Sequence, residues 1–442
     1  MKIEESFSNF YNEIHLEDTS TFDSAIKSIT KKLNEKYYSA DDIDFETANS
    51  VIVGSIGRGT AIKNTSDVDM LFILPWSVYY RFDAYTSNGQ SALLQEIKSE
   101  ISERYPRTDI KGDGQAVVIE FEKFSIDLVP AFKNIDDSFE YPDSNNGGSW
   151  KNTNPVPEQN KSSSINISTN NNFVSLANIL RCWKDNVGFI FGGLLIDSLV
   201  CEFLNLNAKY WNSGFDEYVD IIKELLKFLS EKNENSIIYA LGSGQIVEDK
   251  GKGKYIKKAK DYYDKINDSK TSIDVEYIFI EMFGNRFKKN IVDSVSNYLF
   301  KCLTKQYNYV DTEEFIEDIF PINIKYNLNL NCNVTTKGWR VKQLRDIKII
   351  PFKRNLEFYI ESTNAPKPYK IYWKVRNMGD EAYKRNQIRG QIIKGEKTKK
   401  EKSSFNGPHY VECYLIKNEV CVARDIITVN IQAGAIDGLE VV

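Results

Sequence analysis

A chain of 442 residues is too long for one compact core and suits two or three domains. Hydrophobic residues at 41% and aromatics at 13% can fill real cores, which excludes wholesale disorder. The net charge of −5 hides an asymmetry, because residues 337–402 hold 19 Lys and Arg against 7 Asp and Glu, a local +12 that leaves −17 elsewhere.

No window approaches the roughly eighteen apolar residues of a membrane span, and the opening "MKIEESFSNF" is charged and amphipathic, unlike a signal-peptide core. The expectation is a cytoplasmic protein with no membrane partner. Six cysteines without a CxxC pair fit reduced thiols. His15 and His409 are the two histidines, too few for a histidine-based zinc site or a Ser-His-Asp triad, so chemistry here should run on carboxylates.

In chain order, residues 1–38 place apolar positions at helical spacing (Phe7, Phe10, Ile14, then Ile26, Ile29, Leu33) around a polar break, predicting two helices. "SVIV" reads as a short buried strand ending at Gly54, and "DVDMLFILP" as a second strand closed by Pro75. "ALLQEIKSEISERY" is an amphipathic helix. "AVVIEFEKFSIDLVPAF" reads as a β-hairpin turning near Glu122 and Lys123, with Asp127 on its return arm.

The Asn-, Ser-, Gly- and Pro-rich stretch 143–172 reads as a long surface crossover, followed by one continuous helix over about 173–206. Residues 215–320 read as largely helical, with a break at "GSGQIVEDKGKGKY". From about Asn323 short alternating strands separated by Gly, Pro and Asn predict a small β-sandwich. The expected domains are therefore 1–172, 173–322 and 323–442.

In "SDVDML" the period of two along a strand puts Asp67 and Asp69 on one face. Asp127, with Ile126 and Leu128 turned the other way, can bring a third carboxylate to the same point from a neighbouring strand. Three such carboxylates suit two magnesium ions, which would activate a hydroxyl and stabilise a leaving pyrophosphate. Gly54 and Ser55 form a turn whose amides and hydroxyl can reach a triphosphate, with Arg58 and Thr60 extending its polar surface. Taken alone, such a turn reads equally as a plain tight turn, and a lone DxD as surface charge. Their order, with a third Asp about 60 residues later, is far more specific.

"GSIGRGTAIKNTSDVDMLFIL" followed by "SIDLVPAF" resembles the nucleotidyltransferase core of the cGAS/DncV-like enzymes, the bacterial second-messenger synthases that include the SMODS group. The resemblance covers roughly residues 1–320. It implies an α+β, polymerase-β-like core with a helical second lobe. Asp67, Asp69 and Asp127 would be the ligands of magnesium or manganese, and Gly54–Ser55 the triphosphate loop. "LRCWKD" is similar to the family's long second-lobe helix, which offers a basic residue to the triphosphate; by position that is Lys184, with Arg181 one turn earlier. Alternatively the two bases flank a buried Trp183. At Gly192–Gly193 the chain departs from a serine that the family often has. Tyr141 and Trp150 could stack on a base or pack the crossover against the core.

"YKIYWKVRNMGDEAYKRNQIRGQI" and "SFNGPHYVECYLIKNEVCVARDIITVNI" resemble the AGS-C domain, the adenylyl/guanylyl and SMODS C-terminal sensor, over about residues 340–432. There His409 suits a β-core position or a binding face. Together the resemblances imply a synthase of cyclic di- or trinucleotides from ATP and other NTPs in anti-phage (CBASS-type) signalling. Its partners would be NTP substrates, an activating ligand at the C-terminal domain such as nucleic acid or a phage component, and, indirectly, a cyclic-nucleotide-responsive effector. A linear-product or RNA-modifying nucleotidyltransferase and a non-catalytic nucleotide-binding regulator remain as alternatives.

Overall fold

The computed structural model describes residues 3–39, 44–63, 65–289, 312–336, 340–347, 349–378, 380–404 and 407–431. The part of the expected helical region at 290–311, with Cys302, lies outside them. The chain forms two compact units, one of residues 11–181 and 192–252, the other of 1–10, 182–191 and 253–442. The division falls within two helices, α1 (Ile3–Ile14) and α7 (Asn172–Val187).

In the first unit α2 (Ser20–Tyr37) leads into β1 (Ser50–Ile52), a helical turn α3 (Gly54–Gly57) and β2 (Asp67–Ile73). Helices α4 (Trp76–Asp83) and α5 (Gly89–Arg104) precede β3 (Asp109–Asp113), β4 (Ala116–Glu120) and β5 (Ser125–Lys133). The sheet runs β1-β2-β5-β4-β3, with β2 and β5 parallel. Val68, Met70, Phe72, Ile126 and Leu128 on one face meet Ile29 and Leu33 of α2 and Leu93, Leu94, Ile97 and Ile101 of α5 in one buried cluster. The alternation of β2 fixes what is left for the opposite face: the residues at 67, 69, 71 and 73.

The stretch 143–172 is not a crossover loop. β6 (Phe139–Asp143) extends the sheet from β5 and pairs with β7 (Ser149–Thr153), and a 14-residue helix α6 (Pro155–Ser168) follows. Its Asn/Ser composition hides the helix, but Pro155 suits the first turn, and Glu158, Ser162 and Ile165 share one buried face. The expected continuous helix over 173–206 is also corrected: α7 stops at Val187, Gly188 takes φ +82, and α8 (Gly193–Leu206) starts anew. Helix α9 (Tyr218–Ser230) and a two-residue hairpin of β8 (Ile238–Tyr239) and β9 (Ile246–Val247) complete this unit.

The second unit contains α10 (Lys254–Asp268) and α11 (Ser272–Phe283), then two four-stranded antiparallel sheets. One joins β10 (Leu328–Thr335), β11 (Lys342–Gln343), β12 (Asn355–Thr363) and β15 (Thr398–Lys402). The other joins β13 (Lys370–Asn377), β14 (Arg389–Gly395), β16 (Gly407–Lys417) and β17 (Val420–Ile431). Leu330, Cys332, Leu356 and Phe358 from the first sheet and Trp373, Val375, Val411 and Cys413 from the second form one core, the expected β-sandwich. The α+β class expected from the sequence thus holds. Cys182, Cys201, Cys332, Cys413 and Cys421 are buried free thiols. Among the described residues no helix is long and apolar enough to cross a membrane.

Trp373 is the largest side chain in the sandwich core, and its indole nitrogen donates to the Glu396 carbonyl at 2.8 Å. Trp373→Ala removes that volume and leaves the carbonyl without its donor, so it should cost about 3–5 kcal/mol of stability in the second unit. Urea unfolding followed by hydrogen exchange of β13 and β16 checks this; a loss under about 1 kcal/mol would show that the sandwich core collapses around the gap.

Candidate active site

Parallel pairing of β2 with β5 sets Asp67 opposite Ser125 and Asp69 opposite Asp127. Directly paired residues of a parallel ladder lie on one face, so Asp67, Asp69 and Asp127 share the face away from α2 and α5. All three are half-buried. The Ser125 hydroxyl donates to Asp67 Oδ1 at 3.2 Å. Farther along the same face Leu71, Ala131 and Phe139 form a second, smaller core against which Tyr141 packs.

The turn after β1 reaches this face through its backbone. The Val53 amide donates to the Asp69 carbonyl at 2.9 Å, and Gly54 follows with φ +64. A Cβ built on Gly54 would lie 1.8 Å from Asp69 Oδ2, so only a residue without a side chain lets the turn approach that carboxylate. The Ser55 carbonyl accepts from the Thr60 amide at 2.9 Å, closing the turn.

Carboxylate oxygens are the donors that a hard divalent cation prefers, and this face presents three of them on rigid strands. Among the described residues no three acidic, Cys or His side chains are already drawn together as a finished cage. The donor set suits a hard divalent cation in kind, with the three carboxylates on one sheet face but not closed around a common point.

Arg58, Thr60 and Arg181 are not on the open surface of the turn. Their residues are 8%, 0% and 5% exposed, and all three converge on Asp197 of α8, which is fully buried. Asp197 Oδ2 accepts from Arg58 Nε at 2.8 Å, Arg181 Nη2 at 2.9 Å and Thr60 Oγ1 at 2.9 Å, while Oδ1 lies 2.7 Å from Arg181 Nη1. Glu158 adds a carboxylate 3.6 Å from Arg58 Nη1. Two guanidinium groups inside a protein need a carboxylate, and α8 supplies one. The expected polar rim is instead a buried ionic knot that ties the turn to α6, α7 and α8. Helix α6 grips it again, with Ser162 Oγ donating to the Arg58 carbonyl at 2.6 Å and Gln159 Nε2 to the Ile52 carbonyl at 2.8 Å.

Asp197, Glu158, Gln159 and Ser162 were missed in the sequence. Asp197 had a readable signal, since "LLIDSLV" sets one carboxylate inside an apolar helical run, where it must find a cation. Trp150 joins the α2/α5 side of the sheet: it packs 4.6 Å from Tyr79 and donates to Asp83 Oδ1 at 2.9 Å. The base-stacking reading of Trp150 thus gives way to packing, whereas Tyr141 stays on the aspartate face. Lys184 belongs to the second unit, where its ammonium pairs with the neighbouring Asp185 carboxylate. Trp183 beside it is buried. Gly193 offers its carbonyl to Arg181 Nη2 at 3.1 Å and so joins the ionic knot.

Burial alone would raise the Asp197 carboxyl, but Arg181 and Arg58 outweigh it and hold it below the usual carboxylate range. A depressed folded-state value stabilises the protein above the unfolded value of about 4 and is lost as the pH falls through the folded value. Asp197→Asn, which strands two buried cations, should cost about 3–5 kcal/mol in the first unit and flatten the acid limb of its stability profile. Denaturation at pH 7 and pH 3 checks both effects, and a variant as stable as the parent at pH 7 would deny the knot its role.

Residues 1–166 match the Second Messenger Oligonucleotide or Dinucleotide Synthetase (SMODS) domain, and residues 310–432 the Adenylyl/Guanylyl and SMODS C-terminal sensor domain. A probable cyclic nucleotide synthase of Bacillus cereus (strain VD146) is 24% identical over 140 residues, 29% of this chain and 42% of that protein, so the match spans under half of the relative's length. Among solved structures, E. coli MS115-1 CdnC with ATP is similar at 16% identity and a TM-score of 0.48, over 64% of this chain and 98% of that one. The Rhodothermus marinus CdnE c-UMP-AMP synthase is similar at 14% identity and a TM-score of 0.43, over 61% and 98%. Residues 1–166, with the DxD strand inside them, thus carry a SMODS domain, and residues 310–432 carry the C-terminal sensor domain that accompanies it.

Proposed function

We propose that the chain joins ATP and other ribonucleoside triphosphates into cyclic di- or trinucleotides, by attack of a 3′-hydroxyl on an α-phosphate, as a cytoplasmic step of bacterial anti-phage signalling. One observation carries this reading: Asp67, Asp69 and Asp127 share a sheet face, and the Gly54 backbone is pressed against the Asp69 carboxylate. Asp67, Asp69 and Asp127 would hold magnesium or manganese, which supplies charge neutralisation to the triphosphate and acidifies the attacking hydroxyl.

The chain's own residues do the positioning. Gly54 brings the turn to the carboxylates without a Cβ, and the Ser55 amide and hydroxyl would bind phosphate oxygens. The knot at Asp197 holds that turn rigid, and rigid placement is what phosphoryl transfer asks of a protein. Tyr141, on the same sheet face, is the aromatic available to a base. In this reading residues 1–172 form the catalytic lobe, 173–322 the helical lobe and 323–442 the sensor.

Incubating purified protein with all four labelled NTPs and separating the products by chromatography tests the proposal; linear products alone, or none, would refute it. Asp69→Asn and Asp127→Asn should each lower synthesis at least about 100-fold while circular dichroism stays unchanged. Gly54→Ala should do likewise, because its methyl group meets Asp69 where the carboxylate is needed. Parent-like yields from Gly54→Ala would show that the close approach serves only the turn.

A further inference from the structure

A cavity of about 660 Å³ opens between the two sheets of the sandwich. Its size falls within the range of small-molecule sites, roughly 300–1,000 Å³. The floor is apolar, built by Leu356 and Phe358 of one sheet and Val375, Val411 and Val429 of the other. One wall is polar. Asn377 and His409 are register partners on β13 and β16, share the inward face with Val375 and Val411, and hydrogen-bond each other at 3.1 Å. Gln387 lies beside them, its carbonyl accepting from Asn377 Nδ2 at 2.7 Å.

A charged pair links that wall's sheet to the other. Glu401 is the register partner of inward-facing Leu356 on β15, and Arg389 reaches it from the opposite sheet with two parallel bonds, Nη1 to Oε2 at 2.7 Å and Nη2 to Oε1 at 2.9 Å. Arg389 adopts φ +63, a left-handed backbone uncommon for a residue with a side chain. Strained backbone of this kind persists where surroundings over-determine it, and ligand clamps are among such places. The fork that Arg389 offers to Glu401 is the one that a phosphate monoester or another carboxylate would use.

The geometry points to this cavity as a binding site for a nucleoside monophosphate or a close analogue. The phosphate takes the fork of Arg389 in place of the Glu401 carboxylate, and the flat ring lies on the Val375–Val411 floor with its polar edge toward Asn377 and His409. Glu401 is then a built-in competitor that occupies the anion's seat until the ligand arrives. The inference deepens the synthase reading by naming what its sensor domain binds, and its measurement is independent of synthesis.

The test is titration of the full chain with 5′-AMP, 5′-GMP, 5′-CMP and 5′-UMP, and with inorganic phosphate, in the absence of any triphosphate, followed by hydrogen-exchange mapping. The expected result is saturable binding of at least one monophosphate, with protection of residues 387–402 and 409–411. Arg389→Gln should weaken that binding at least tenfold, and Glu401→Gln should tighten it severalfold by emptying the competitor's place. A merely structural ion pair would not give opposite signs for its two halves. If Arg389→Gln does not fold, Glu401→Gln decides, and unchanged or weaker binding overturns the proposal. So does protection confined to residues 53–70, or inorganic phosphate binding as tightly as every monophosphate. A chain that shows the expected protection but makes no cyclic product refutes the synthase reading and leaves the cavity assignment standing; the reverse result refutes only the cavity.

Discussion

The parallel pairing of β2 with β5 is the constraint on which the candidate site depends. A slip of one residue would send Asp127 to the α2/α5 side and bring Ile126 or Leu128 onto the aspartate face, because strand side chains alternate. That slip is opposed by the packing of Val68, Met70, Phe72, Ile126 and Leu128 against two helices. The hydrophobic core thus sets the register, and the register sets the carboxylates. The placement of the three aspartates and the stability of the sheet come from opposite faces of the same strands.

The turn at Gly54 is held by a different kind of force. Its approach to Asp69 sets backbone beside carboxylate, a placement that the packing of Val53 and Ile56 alone does not fix. The buried group of Arg58, Arg181, Thr60, Glu158 and Asp197 supplies the fixing. A buried ionic group is a costly way to gain stability, since well-packed apolar residues often do as well. It does, however, tolerate few alternative arrangements, because each guanidinium must keep its carboxylate. That property suits a turn whose position must be reproduced to a fraction of an ångström.

Much of this was legible before the structure. The i, i+2 aspartates, the hairpin with Asp127 and the glycine turn each rest on local rules of strand period and φ freedom, and the structure has them as those rules require. What stayed hidden was decided by tertiary contacts. Helix α6 has a polar, Asn- and Ser-rich sequence with little amphipathic signal, and it is held by the burial of Glu158, Ser162 and Ile165 and by its grip on the turn. Arg58 and Thr60 looked like surface extensions of the turn because their partner, Asp197, lies more than a hundred residues away in sequence. Trp150 looked available for stacking because nothing local shows that Tyr79 and Phe132 cover it.

The basic surplus over 337–402 shows a similar limit of counting along a chain. Strand pairing and the segment before β10 bring in acids from outside that window: Lys374 meets Glu313 at 3.0 Å and Glu412 at 3.3 Å, Arg376 meets Glu313 at 3.5 Å, and Lys370 pairs with Glu419. Lys374 and Arg376 are moreover buried, so they belong to the sandwich's own polar network and not to a face that a polyanion could cover. Others are spent within the window, on Glu361, Glu381 and Glu401. A polyelectrolyte surface needs exposed, unneutralised cations in a row, because affinity for nucleic acid grows with the number of phosphates neutralised. The pairing leaves a much shorter row than the count suggests. In the cavity proposal, recognition would rest on a single, geometrically defined cation, Arg389, released from Glu401, whose fork selects by shape as well as by charge.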